Sequence, residues 1–170
     1  TVNTSFGSKV IIPGTGVIMN NEMDDFSIAP GVPNAFGLLG AEANAVAPGK
    51  RPLSSMSPTI VLKDGKPILA VGAAGGPTII TQTLLAIIHT IDYGLPVKEA
   101  LAQPHFHHQW APDQMRIERK VGQNVLTKLR ERGHKLKVYS QMGATQATSQ
   151  RNGKFDAAHD PRLKGKATAY

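Results

Sequence analysis

Residues 59–93 constrain this chain more than any other stretch. They read as a strand, a two-residue turn, a second strand, a glycine-rich turn and a helix. Thr59-Ile60-Val61-Leu62-Lys63 and Ile68-Leu69-Ala70-Val71 are β-rich runs on either side of Asp64-Gly65, a strong short-range hairpin signal. Gly72-Ala73-Ala74-Gly75-Gly76-Pro77 then leads into a helix from about Thr78 to Tyr93. Pro77 sits where a first-turn proline is tolerated, and Gly94 suits the end. Apolar residues surround the helix almost completely, which predicts burial between layers. It is too short and too polar to span a bilayer, because Thr81, Gln82, Thr83, His89 and Thr90 interrupt Ile79–Ile91.

Glycine and proline punctuate the rest of the chain. Val10-Ile11-Ile12 and Gly16-Val17-Ile18-Met19 read as short strands around Pro13-Gly14. Residues 28–58, with Pro30, Pro33, Pro48, Pro52 and Pro58, hold no lasting period and read as a long ordered loop, a kind that is usually functional or disordered. Downstream, the pattern predicts a short helix from Pro96 to Ala102, a strand over Met115–Glu118 and an amphipathic helix from Asn124 to Arg132 closed by Gly133. A strand over Leu136–Tyr139 follows, then a second hairpin, Ala144–Gln150 and Phe155–Ala158, around Asn152-Gly153. Strands outnumber helices and come as hairpins, so an α+β fold with an antiparallel sheet is expected, as a single domain over 1–170.

Hydrophobic residues make up 41% and charged ones 18%, enough to bury a core and to argue against disorder. Cysteine is absent, which excludes a disulfide scaffold, a thiolate metal site and a cysteine nucleophile together. The net charge of +7 divides unevenly: residues 1–100 carry six Lys/Arg against seven Asp/Glu, and residues 101–170 carry thirteen against five. That basic half has few aromatics for stacking, and its charges alternate with apolar residues, as in Lys135-Leu136-Lys137-Val138. It reads as a solvated face or a subunit contact ahead of a nucleic-acid interface, with a basic binding module over residues 115–166 as a further alternative. The chain opens at Thr-Val-Asn without Met, a basic n-region or an apolar h-region, as a processed or truncated piece would.

Four constellations can carry chemistry. Asn20-Asn21-Glu22-Met23-Asp24-Asp25-Phe26 places three carboxylates within four residues. Such a loop can hold an ammonium group through charge-assisted hydrogen bonds, or can simply be an acidic helix start. Ser54-Ser55, between Pro52 and Pro58, can present hydroxyls and backbone N–H groups to a carboxylate or phosphate, or can be an ordinary turn. The Gly72–Pro77 turn suits an anion or a developing oxyanion at a helix start, or tight strand–helix packing. It lacks the lysine of a nucleotide P-loop. His105-Phe106-His107-His108 could put two imidazoles on one face for a metal, but no third ligand has suitable spacing, so packing is the simpler reading and no metal site is assigned.

Together these motifs resemble the small subunit of the γ-glutamyltransferase (γ-glutamyltranspeptidase) family. The similarity is carried by Asn3-Thr-Ser-Phe-Gly7, Asn-Asn-Glu-Met-Asp-Asp-Phe from residue 20, Pro-Gly-Val-Pro-Asn from residue 30 and Lys-Arg-Pro-Leu-Ser-Ser-Met-Ser-Pro-Thr from residue 50. Gly75-Gly76-Pro77, Ile-Asp-Tyr-Gly from residue 91 and Phe-His-His-Gln-Trp from residue 106 complete it. The resemblance covers nearly the whole chain, in order. It implies an N-terminal nucleophile hydrolase, an αββα sandwich of which this chain is the small-subunit part. A precursor would cleave itself into large and small subunits. The new N-terminal threonine would then attack a γ-glutamyl amide such as glutathione, and the γ-glutamyl enzyme would be resolved by water or by an amino acid or peptide acceptor. A hydroxyl activated by its own α-amine suits two-step acyl transfer. No cofactor is implied.

Residue by residue, the resemblance assigns Asn3, Glu22 and Asp25 to the donor's α-amino group, with Asp25 as the main ion-pair partner. Ser54 and Ser55 fall to its α-carboxylate, and Gly75 and Gly76 to the oxyanion hole. The large subunit of the heterodimer would add an arginine for the carboxylate. Thr1 matches a second threonine that supports the nucleophile, which itself would lie upstream, so residues 1–170 alone are expected to be inactive. Phe36 stands in a lid loop where many bacterial relatives carry Tyr, and a phenyl ring cannot make the hydroxyl's hydrogen bond. Related cephalosporin or glutaryl acylases, poly-γ-glutamate depolymerases, and a non-catalytic γ-glutamyl binder are the alternatives. A periplasmic or extracellular location is what the family implies.

Overall fold

The computed structural model describes residues 2–4 and 6–169, and the chain forms two compact units, Thr1–Ser55 and Met56–Tyr170. The first contains two short 3₁₀ helices, Glu22–Asp25 and Glu42–Asn44, joined by turns. The expected strands at 10–12 and 16–19 shrink to a single antiparallel bridge, Ile11↔Ile18, closed by the Ile12 N–H to the Val17 carbonyl at 3.0 Å. Pro13, Gly14 and Gly16 leave too few residues on either side to extend a ladder. Residues 28–58 form the long loop expected, apart from the Glu42–Asn44 turn and isolated bridges Ser27↔Ala45 and Pro33↔Leu39.

The second unit is built on an antiparallel sheet. Strands β1 (Thr59–Lys63) and β2 (Lys66–Ala74) pair across Asp64-Gly65, both at positive φ as a primed two-residue turn demands. Helix α1 (Thr78–Ile91) follows directly, then α2 (Val97–Leu101). A second sheet contains β3 (Phe106–His107), β4 (Met115–Glu118) and β5 (Leu136–Tyr139), with helix α3 (Gln123–Glu131) as the crossover between the parallel β4 and β5. Strands β6 (Ala144–Arg151) and β7 (Lys154–His159) complete the first sheet in the order β1-β2-β6-β7. The antiparallel expectation holds for this sheet. The second is mixed, because an α3-sized crossover brings β5 back parallel to β4.

Alternation decides which face is buried. Leu69, Val71 and Ala147 point from the sheet into a core with Ala86 of α1, Val97 and Leu101 of α2, and Ala158. Each fully buried Leu or Val contributes about 1.5–3 kcal/mol. Helix α1 is not enclosed as its all-round apolar surface suggested. Ile79, Leu85 and Ala86 are buried, while Ile80 is 66% and Leu84 52% exposed. One sheet can cover only one stripe of a helix. Arg151 holds the end of α1, its guanidinium donating to the carbonyls of Thr90 (2.6 Å), Gly94 (2.9 Å) and Leu95 (3.0 Å), groups with no partner inside the helix.

A buried ionic cluster ties the end of the chain to both sheets. Arg162 Nη2 meets Glu118 Oε2 at 2.6 Å, and its Nη1 meets Asp160 Oδ1 at 2.9 Å. The guanidinium also donates to the carbonyls of Leu101 and Gln103. Burial pushes the Glu118 carboxyl up, but Arg162 and the N–H groups of His105 and Met142 outweigh it and hold the carboxyl below its usual range.

Candidate active site

In the first unit the acidic turn is assembled by local hydrogen bonds. The Glu22 N–H donates to Asn20 Oδ1 at 3.0 Å, and Asn44 Nδ2 donates to the Asp25 carbonyl at 2.8 Å. Phe26, 6% exposed, anchors its end. Glu22–Asp25 is a single 3₁₀ turn with its acidic residues in the first turn, as an acidic helix start would have, and Glu22 also reaches a distant residue. Asn3 Nδ2 donates to Glu22 Oε1 at 2.9 Å and to Ser55 Oγ at 3.1 Å. Three of the residues singled out from the sequence, from positions 3, 22 and 55, therefore meet, and Asp25 joins them through Glu22.

The Glu22 and Asp25 carboxyls lie within one turn and act on each other. A side-chain hydrogen bond with Asp25, then burial, then repulsion by the Asp25 charge hold the Glu22 carboxyl above the usual carboxylate range, against the opposing pull of Asn3. Asp25 Oδ2 and Asn21 Oδ1 are buried with no hydrogen-bond partner among the described residues. Buried polar atoms are ordinarily paired, and an ammonium group would satisfy carboxylate oxygens here. Ser54, adjacent to Ser55, is exposed. Phe36, 44% exposed, tips a turn in which Asn34 Oδ1 accepts the N–H groups of Phe36 and Leu38. Thr1 lies outside the described residues.

In the second unit, β2 runs into Gly75 (φ 145°) and Gly76 (φ 58°), followed by Pro77 and the start of α1. Both glycines use backbone conformations that L side chains rarely adopt. The Gly75 carbonyl accepts from the Thr78 hydroxyl at 2.8 Å. In the histidine run His105 and His107 are buried, while Phe106 and His108 are exposed. His105 is hydrogen-bonded to the Met142 carbonyl at 2.8 Å. His107 bridges Thr81 (3.0 Å) and Gln109 (3.1 Å). Burial lowers the pKa of both imidazoles. Among the described residues no group of His, Asp and Glu is placed to hold a metal, and no helix is long and apolar enough to cross a membrane.

Sequence reading missed Asn44, Gln82 and Thr145. Gln82 registered only as a polar interruption of an apolar helix. The signal available was its position, four residues after Thr78 and just inside a helix that follows a glycine-rich turn.

Comparison with known proteins gives a consistent result. The family model described as gamma-glutamyltranspeptidase matches residues 1–170. The glutathione hydrolase proenzyme of Escherichia coli (strain K12) is 49% identical over 170 residues, covering 99% of this chain and 29% of that protein. A crystallised mutant of Helicobacter pylori gamma-glutamyltranspeptidase superposes with a TM-score of 0.89 at 46% identity, over 96% of this chain and 90% of that one. Cephalosporin acylase from Bacillus halodurans is more distant, with a TM-score of 0.83 and 29% identity over 97% of this chain and 30% of that one. The chain spans 29–30% of the length of curated relatives such as those of E. coli and Pseudomonas aeruginosa.

Proposed function

Because the chain belongs to the γ-glutamyltranspeptidase family and has an α+β fold of the N-terminal nucleophile hydrolase type, we propose that residues 1–170 are the C-terminal, small-subunit part of a two-chain glutathione hydrolase and γ-glutamyltransferase. The observation that carries this reading is the Asn3–Glu22–Ser55 contact beside Asp25, whose buried Oδ2 has no hydrogen-bond partner among the described residues.

In this scheme the donor's α-ammonium pairs with Asp25, flanked by Glu22 and Asn3. Its α-carboxylate takes hydrogen bonds from Ser54 and Ser55 and an arginine of the large subunit. A threonine outside these 170 residues, its hydroxyl deprotonated by its own α-amine, attacks the γ-carbonyl carbon. The carbonyl oxygen becomes an oxyanion held by the N–H groups of Gly75 and Gly76. The C–N bond then breaks, and the leaving amine takes the proton. Water, or the amine of an amino acid or dipeptide acceptor, attacks the γ-glutamyl ester and restores the threonine hydroxyl. Thr1 supports the nucleophile, and Phe36 belongs to a lid over the glutamate. The scheme needs no cofactor or metal, and the enzyme works in the periplasm or outside the cell.

The test uses the full natural reading frame. A precursor that yields two chains and hydrolyses glutathione supports the reading. Asp25→Asn is expected to raise the KM for glutathione about ten- to hundredfold, the usual worth of a hydrogen bond to a charged group. Glutaryl amides, which lack the α-amine, should be poor substrates of the parent enzyme. Equal turnover of both substrates would point instead to an acylase, and failure to self-cleave would favour a non-catalytic γ-glutamyl binder.

A further inference from the structure

The peptides that carry the Gly75 and Gly76 N–H groups are held from behind by two side chains at the start of α1, Gln82 on the Ala74 carbonyl and Thr78 on the Gly75 carbonyl, which also accepts the Thr78 N–H at 3.3 Å. Gln82, 1% exposed, sits one turn into α1. Its Nε2 donates to the Ala74 carbonyl at 3.2 Å and to Thr78 Oγ1 at 2.7 Å. Thr78 Oγ1 passes its own hydrogen to the Gly75 carbonyl at 2.8 Å. On the other side, Thr145 of β6 donates its hydroxyl to Gln82 Oε1 at 3.2 Å, and the Thr145 N–H is fixed by Asp160 Oδ2 at 2.8 Å. The amide thus uses both N–H groups and its oxygen.

A trans peptide is planar, with its carbonyl and N–H pointing in opposite directions. Drawing the Ala74 and Gly75 carbonyls toward Gln82 and Thr78 turns the Gly75 and Gly76 N–H groups the other way. Two glycines make room for the clamp. A Cβ on Gly75 would lie 2.6 Å from Thr78 Oγ1 and 2.8 Å from Gln82 Nε2, and one on Gly143 would fall on the Gln82 amide. Gly143 also sits at φ 57°.

We propose that Gln82, acting through Thr78 and braced by Thr145, is a positioning residue that aims the Gly75 and Gly76 N–H groups at the oxyanion. The inference rests on the assignment of Gly75 and Gly76 as the oxyanion hole. It concerns geometry in the transition state, so its signature is a selective loss of kcat. Misplacement on the order of 1 Å can cost about a hundredfold in rate.

The experiment compares Gln82→Met, Thr145→Val and Thr145→Ser with the parent in the full precursor, with rates normalised to self-cleaved enzyme. Glutathione kinetics are read beside inhibition by two probes: free glutamate, and a γ-boronic acid analogue of glutamate that becomes tetrahedral on the nucleophile. Gln82→Met should lower kcat about ten- to hundredfold, weaken the boronate in parallel, and leave the KM and glutamate inhibition within about twofold. Thr145→Val should show the same split in milder form, and Thr145→Ser should restore parent values. A folded Gln82→Met enzyme with parent kcat and boronate affinity would overturn the inference, as would an equal weakening of boronate and glutamate. If Gln82→Met does not mature, the Thr145 pair decides: no difference between Val and Ser overturns the clamp. A parent that cleaves itself but does not turn over γ-glutamyl amides would overturn the functional reading, and the inference with it.

Discussion

The two compact units of this chain are ordered by different forces. Met56–Tyr170 is held by burial: Leu69, Val97 and Leu101 are at most 2% exposed, and Glu118 and Asp160 are buried with Arg162 between them. Thr1–Ser55 has almost no interior. Phe26 is its one buried large hydrophobic among the described residues, while Phe6, Ile28 and Val32 are 73%, 77% and 59% exposed. Its shape comes from side chains that hydrogen-bond to backbone, among them Asn34, Asn44 and Lys50. The groups proposed to read the substrate's charges lie in the weakly buried unit, and the peptides proposed to meet its oxyanion lie in the well-packed one. Charge recognition tolerates a surface loop, whereas oxyanion stabilisation requires donors that do not move as charge develops.

The contrast can be broken from either side. Arg162→Ala leaves Glu118 and Asp160 buried without their cation and should destabilise the enzyme by about 3–5 kcal/mol, seen as a large fall in melting temperature. Asp25→Asn should do the opposite, leaving the melting temperature near the parent's while the KM rises as given above. Asn44→Ala removes the hydrogen bond to the Asp25 carbonyl. It should cost about 1 kcal/mol and raise the KM several-fold, because the acidic turn loses its brace. Equal effects of Asp25→Asn on stability and on KM would erase the distinction between the units.

The smallest expected effect is a pH dependence in the second unit. Burial lowers the pKa of His105 despite the Met142 carbonyl, with Arg162 acting in the same direction and Glu118 and Asp160 against it. An unfolded histidine titrates near about 6.5. The folded state therefore binds this proton less readily than the unfolded one. The stability it contributes is complete above that pH and is lost as pH falls through the depressed folded value. Melting temperatures measured from pH 8 to pH 5 should fall for the parent and fall less steeply for His105→Gln.

Much of the second unit was legible in sequence because its signals are local. Asp64-Gly65 and Asn152-Gly153 each specify a two-residue hairpin turn, and both hairpins form there. Alternation in Lys135-Leu136-Lys137-Val138 gave the right exposed and half-buried faces. Two expectations failed where a neighbour decides. The apolar surface of α1 could not reveal that one sheet covers only one stripe. The 10–19 segment has strand composition but no ladder to join.

At the candidate site, residue types and order along the chain determined the family and the residues to examine: Asn3, the acidic turn, Ser54-Ser55 and Gly75-Gly76. Local chemistry also favoured glycine in the turn, since L side chains rarely adopt the angles of Gly75 and Gly76. Only the tertiary structure decided that Asn3 bridges Glu22 and Ser55, that Asp25 keeps a buried oxygen without a partner among the described residues, and that Gln82 joins α1 to Thr145. These contacts span 19, 52 and 63 residues of chain. Periodicity and turn chemistry act over a few residues, so the sequence can name such partners but cannot say which of them meet.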